Sequence, residues 1–289
     1  MDSIFTLILN TIILRPYVFV FLLIYLLGCS FHLGIKRALF FCITGYLIAW
    51  LSEYSSIHNG IPYGFYYYIE QTKGEELWVL GVPFFDSLSY VFLAYASYSM
   101  ALMIIAPVLR TRGIIYLLET KKIRNSIYAT ILGAIFFVYL DIIIDPVALL
   151  GDRWFLGQIY GYPQKGIYFG IPISNFIGWL VVGFLMIYVL QKIDSHLYKV
   201  SDWSGYRYPW RYIIGPGLYF SVIIFNLSVT FYIREYTLGW VDIFVILLPS
   251  FLVYSIMKFK LSHKNPDEAL KAHLSDFPQV VIPEYVVAE

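Results

Sequence analysis

Apolar residues run almost unbroken through seven windows, about 17–34, 36–52, 83–108, 126–150, 171–192, 211–232 and 240–258, with short polar stretches between them. A helix needs roughly 20 such residues to cross the hydrocarbon core of a bilayer. The pattern therefore predicts an all-α integral membrane protein with about seven transmembrane helices in residues 1–261. One further apolar stretch, Ile4–Leu14, is too short to cross alone and ends at Arg15-Pro16, a helix-start signal. It is expected to lie at the interface or to extend the first span, and it has neither the basic start nor the small-residue cleavage site of a secretory signal. From about Ser262 the chain turns polar and carries Pro266 and Pro283, so residues 262–289 read as a disordered or surface-lying tail.

Composition narrows the classes further. Only 13% of residues are charged, against about 25% in soluble domains. The lipid bilayer is therefore the expected surroundings, and a net charge of +1 offers no footprint for nucleic acid. Cys29 and Cys42 sit inside apolar runs without disulfide or zinc spacing. The basic residues set an orientation: with seven spans, 15 of the 20 Lys and Arg fall on one side, which includes Lys36, Arg37, Lys121, Arg124, Lys258 and Lys271. That side, with the C-terminus, is expected to be cytoplasmic.

Two segments, 36–108 and 126–192, resemble each other at an offset of 89 residues. Gly81-Val82-Pro83 precedes Asp86 and Tyr90 in the first, and Gly170-Ile171-Pro172 precedes Asn175 and Trp179 in the second. Each preceding span ends in acid, Glu53 in one and Asp141 with Asp145 in the other. Each intervening loop is rich in aromatic residues, with Tyr66 among them. Parallel repeats of this kind place corresponding residues at one depth around an axis along the membrane normal.

A carboxyl group inside a span costs about 2.5–3.5 kcal/mol on insertion scales, which makes it a candidate for function. Asp141 and Asp145 are one helical turn apart and share a face, and two such groups in an apolar setting are expected to retain a proton between them. Their structural alternatives are a hydrogen bond to a neighbouring helix for either acid, or a helix break at Asp145-Pro146. Glu53 also suits the headgroup level, and Asp86 a helix N-terminus. Asp242 reads as a capping or interfacial residue and Asn226 as a contact between helices. The loop residue His58 reads as a polar surface group. No HxxxH, HExxH, GxGxxG or P-loop occurs, so neither a metal nor a nucleotide cofactor is expected.

A proton donor in an aromatic-walled apolar cavity suits protonation of an unactivated carbon–carbon double bond, because ring faces stabilise the resulting cation. The run from Glu53 through Pro62-Tyr63-Gly64-Phe65-Tyr66 to Gly81-Val82-Pro83, followed by Asp141, Asp145-Pro146, Trp154, Gly170-Ile171-Pro172, Asn175-Phe176 and Gly178-Trp179, resembles the membrane carotenoid-biosynthesis family. That family includes bisanhydrobacterioruberin hydratases and carotenoid 1,2-hydratases. The resemblance covers roughly residues 40–190 and implies addition of water to the terminal double bond of an acyclic carotenoid, with a lipophilic polyene and water as partners. Association with other carotenoid enzymes is a further expectation. On this reading Asp141 protonates the alkene, Asp145 tunes it or holds water, and Glu53 is the alternative acid or base. Asn175 and Asp86 contact substrate or water, and Trp179, Tyr90 and Tyr66 line the cavity. An end-group cyclase and a proton-coupled transporter remain as alternatives.

Overall fold

The computed structural model describes residues 3–197, 208–262, 267–280 and 282. Ten helices are described: α1 Ile4–Leu14, α2 Pro16–His32, α3 Ile35–Asn59, α4 Phe84–Ile105, α5 Lys121–Arg124, α6 Ile127–Leu149, α7 Ile173–His196, α8 Arg211–Tyr232, α9 Tyr236–Ser262 and α10 Asp267–Asp276. Six of them, α3, α4 and α6–α9, are long and apolar enough to cross a membrane, and the bent pair α1 and α2 makes a seventh if taken as one span. The protein is an all-α membrane protein, as the apolar windows predict. The short pairs are β1 Tyr67–Tyr68 with β6 Tyr160–Gly161, β2 Trp78–Val79 with β3 Val82–Pro83, and β4 Val108–Thr111 with β5 Ile114–Leu117.

Helix α4 is the centre of the bundle, with 78% of its most apolar window buried, and it packs against α2, α3, α6 and α8. Helix α9 is peripheral, with 11% buried, so most of its apolar surface faces outward as a lipid-exposed helix requires. Lys260 near its end donates to the carbonyls of Met103 and Ala106, which the end of α4 leaves without intrahelical partners. Helix α6 runs through Pro146 to Leu149, so the Asp-Pro pair is not a helix break.

The repeat is visible in three dimensions. Helix α3 packs on α4 and α7, while α6 packs on α7 and α4, the exchange of partners expected about an approximate two-fold axis. Both connecting loops end in the same two-residue hairpin. Leu80-Gly81 and Phe169-Gly170 all have positive φ (49°, 85°, 47° and 90°), as a type I′ turn requires, and the flanking residues pair as Val79 with Val82 and Tyr168 with Ile171. The pairing of β1 with β6 ties the two loops to each other across one end of the bundle.

Helix α1 meets α2 at a 92° bend at Arg15. The Arg15 guanidinium is buried there, pairs with Glu76 at 2.9 and 3.0 Å, lies over the Phe85 ring and donates to the carbonyl of Leu156. It buckles the N-terminus to both loops.

At the opposite end the described part of the tail, 267–280 and 282, is not disordered: it lies packed on the bundle through a few buried side chains. Leu270 of α10, Phe277, Val280 and Ile282 are buried against Leu109, Tyr116 and Leu118 of the β4–β5 hairpin, forming a second small core. Beneath it Arg124 joins Glu119 (2.7 Å) to Asp194 (3.7 Å), Arg37 pairs with Asp194 (3.0 Å), and His32 meets Glu119 (3.0 Å). Burial opposes charge on Glu119, but His32 and Arg124 outweigh it and hold the carboxyl well below the usual range. Phe277 lies under the Arg124 guanidinium, and the His273 ring nitrogen bonds the Glu119 carbonyl. The polar composition of the tail hides these few apolar anchors.

Candidate active site

Beneath the tied loops a chamber is lined by Glu53, Asp86, Asp145, Asn175, Trp179 and the tyrosines Tyr63, Tyr66, Tyr68, Tyr90, Tyr160 and Tyr162. Seven of the eight residues singled out from the sequence line it. The eighth, Asp141, is fully buried directly behind the wall and reaches it through Asn175.

The two halves contribute one acid group each. In the second, the Asn175 amide donates to Asp141 Oδ2 at 2.9 Å and to Asp145 Oδ2 at 2.7 Å, holding the two carboxyls side by side. Tyr162 adds its hydroxyl to the same Asp145 oxygen at 3.2 Å. The other oxygen of Asp141 has no partner among the described residues, so it depends on this pair for all its polar contact. In the first half, Ser87 donates to Glu53, and the Tyr68 hydroxyl lies 3.1 Å from Glu53 Oε1 and 2.8 Å from Asp86 Oδ2. A phenol has one hydrogen. Both Tyr68 contacts are therefore made together only when one carboxyl gives its own hydrogen to the Tyr68 oxygen.

Glu53 is 1% exposed, inside the bundle. Asp86 stands in the first turn of α4, as a helix N-terminus favours, and also accepts the Tyr68 phenol. Tyr90 and Trp179, equivalent in the two copies, stack face to face with centroids 4.6 Å apart and 18° between planes. They mark the approximate axis, and Phe137 closes on Trp179 from the side at 4.7 Å. Close approach of the Tyr63 loop to α7 depends on Gly178, where a Cβ would lie 2.7 Å from Tyr63 Cα and 2.8 Å from the Pro62 carbonyl carbon. Gly178→Ala is expected to push this loop off the chamber and to lower stability by about 1–3 kcal/mol, read as a fall in thermal midpoint in detergent.

Tyr68, Tyr160, Tyr162 and Ser87 were not singled out from the sequence. The only signal for the tyrosines was the aromatic richness of the loops, which does not say which rings turn inward. His58 is exposed and bonds the Tyr54 carbonyl, away from the chamber. Asn226 donates to the Val222 carbonyl in its own helix, and among the described residues its side chain makes no hydrogen bond to another helix. Asp242 stands in the second turn of α9, past the capping positions, and is buried with no partner for its carboxyl oxygens among the described residues. Among the described residues no group of three or more His, Cys, Asp or Glu is arranged as a metal-binding set.

A family model described as carotenoid biosynthesis protein matches residues 4–249. The chain belongs to this family. No curated protein and no solved structure matches it. The match takes in α1–α8 and stops within α9, so the whole chamber lies inside the carotenoid-biosynthesis region and α10 lies outside it. Membership makes the protein a membrane component of carotenoid biosynthesis and points to an enzyme.

Proposed function

We propose that the protein is a carotenoid hydratase that adds water to the terminal carbon–carbon double bond of an acyclic carotenoid end, giving a tertiary alcohol. The observation that carries this reading is the shared chamber: carboxyl groups from both halves meet in one buried, ring-walled space in a protein of the carotenoid biosynthesis family.

Asp145 faces the chamber and, backed by Asp141 through Asn175, serves as the proton donor. The alkene π pair takes the proton at C-2, leaving a tertiary cation at C-1. Ring faces of Trp179, Tyr90 and Tyr66 stabilise that cation, each desolvated contact being worth about 2 kcal/mol. A water oxygen then forms the new bond at C-1, and its surplus proton passes to the Glu53–Asp86 pair. No oxidant or reductant is needed, and the carboxyls return to their starting state once a proton moves back across the chamber. The C-terminal tail and the Arg124 cluster are assigned to the cytoplasmic side, on the 15-to-5 division of basic residues.

Expression in a strain that accumulates lycopene, followed by mass analysis of its pigments, tests the assignment. The expected product is heavier than lycopene by one or two waters. A new pigment of unchanged mass would replace hydration by end-group cyclisation, and unaltered lycopene would remove this substrate.

A further inference from the structure

A second cavity lies between α2, α4, α6 and α8. Its walls are mainly apolar, with Phe21, Phe92, Leu93, Trp154 and Phe225 among them and Ser89 and Asn226 as polar exceptions beside Asp86. Asp86 and Tyr160 line both this cavity and the carboxyl chamber, so they form the partition between the two. At its other end Trp154 and Phe225 also line a surface groove with Phe155 and Tyr232. Chamber, cavity and groove are thus neighbours in series. On α4 the lining runs from Phe85 to Leu93, which at 1.5 Å per residue is about 12 Å of depth.

The rings along this path are fixed. Tyr17 stacks on Phe225 (5.1 Å, 18°), Phe21 packs against Phe92 and Phe225 at 5.6 and 5.8 Å, and Trp154 is pinned by its indole N–H to the Val147 carbonyl at 3.0 Å. Flat, immobile ring faces around an elongated dry space complement a rigid conjugated chain, because little side-chain freedom is lost when it enters.

We infer that this cavity holds the hydrocarbon stretch behind the reacting end of an acyclic polyene. The end group passes between Asp86 and Tyr160 into the chamber, and the remainder of the chain leaves through the groove at Trp154 and Phe225. The occupant rests on the hydratase reading for its reacting end, but its binding is measured separately from any reaction.

Purified protein in detergent micelles, titrated with lycopene, should show quenching of tryptophan emission. Ala148→Trp on α6 and Val222→Trp on α8 fill the cavity from opposite walls and should each weaken binding at least tenfold. Ile246→Trp, in the separate space between α8 and α9, should leave it unchanged. Independently of any variant, a diazirine-bearing acyclic isoprenoid photolysed on the wild-type protein should label cavity-lining peptides of α2, α4 and α8. Unchanged binding in the folded cavity variants, or labelling confined to the outer face of α9, would overturn the inference and leave the hydratase reading standing. Binding lost in those variants while the wild type adds no water would keep the cavity assignment and remove the hydratase reading.

Discussion

Asp145→Asn is expected to reduce conversion of an acyclic carotene to its hydrated product by about 10²–10⁴-fold, the usual contribution of a positioned general acid. Asparagine has nearly the same shape and keeps polar contact with Asn175 and Tyr162, which hold the native side chain at 2.7 and 3.2 Å. It has no acidic proton to give. The fold should therefore persist while the product disappears, and pigment mass analysis at matched protein levels reads the loss directly. Asp141→Asn should act in the same direction, because Asp141 is joined to Asp145 through the shared Asn175 amide. Full conversion by both variants would take the pair out of the mechanism. Glu53→Gln separates the two halves, since on the proposed scheme it impairs proton return and not delivery, so product should fall without vanishing.

The second large effect lies at the opposite end. Glu119→Gln is expected to destabilise the protein by about 3–5 kcal/mol, the usual consequence of removing one partner from a buried ion pair. The substitution leaves Arg124, which is 1% exposed, without its nearest counter-charge at 2.7 Å. It also loosens the base on which Phe277 and α10 sit. The checks are thermal unfolding and limited proteolysis, with α10 becoming cleavable in the variant before the spans are lost. Acid should mimic the substitution. Because the folded carboxyl titrates well below the unfolded one, its contribution is fully present above the unfolded value of about 4.3 and drains away as pH falls towards the folded value. The variant should lack that acid-dependent loss.

Much of the architecture was legible along the chain. Span number follows from run length, because the bilayer sets a minimum that a single window can test. The repeat was readable because each copy carries its turn and its acid at fixed local spacing, and the hairpins at Leu80-Gly81 and Phe169-Gly170 are built from those same few residues. What spacing does not carry is which side of an apolar helix looks inward, since lipid and protein interior favour the same side chains. That is why the sequence favours Asp141 as the proton donor with Asp145 as its tuner, although only Asp145 lines the chamber. The assembly of the loops was equally hidden. Tyr68 meets Tyr160 across 92 positions and Arg15 meets Glu76 across 61, contacts that no local pattern encodes.

The amino-acid order by itself determined a multi-spanning, twice-repeated membrane protein with acids buried in its spans, because segment length and the cost of burying charge are properties of short stretches. The tertiary structure alone decided that those acids share one aromatic chamber, that an apolar cavity adjoins it, and that the described part of the tail is packed. Each of these depends on helix rotation and long-range packing, which a one-dimensional pattern of apolar residues leaves open.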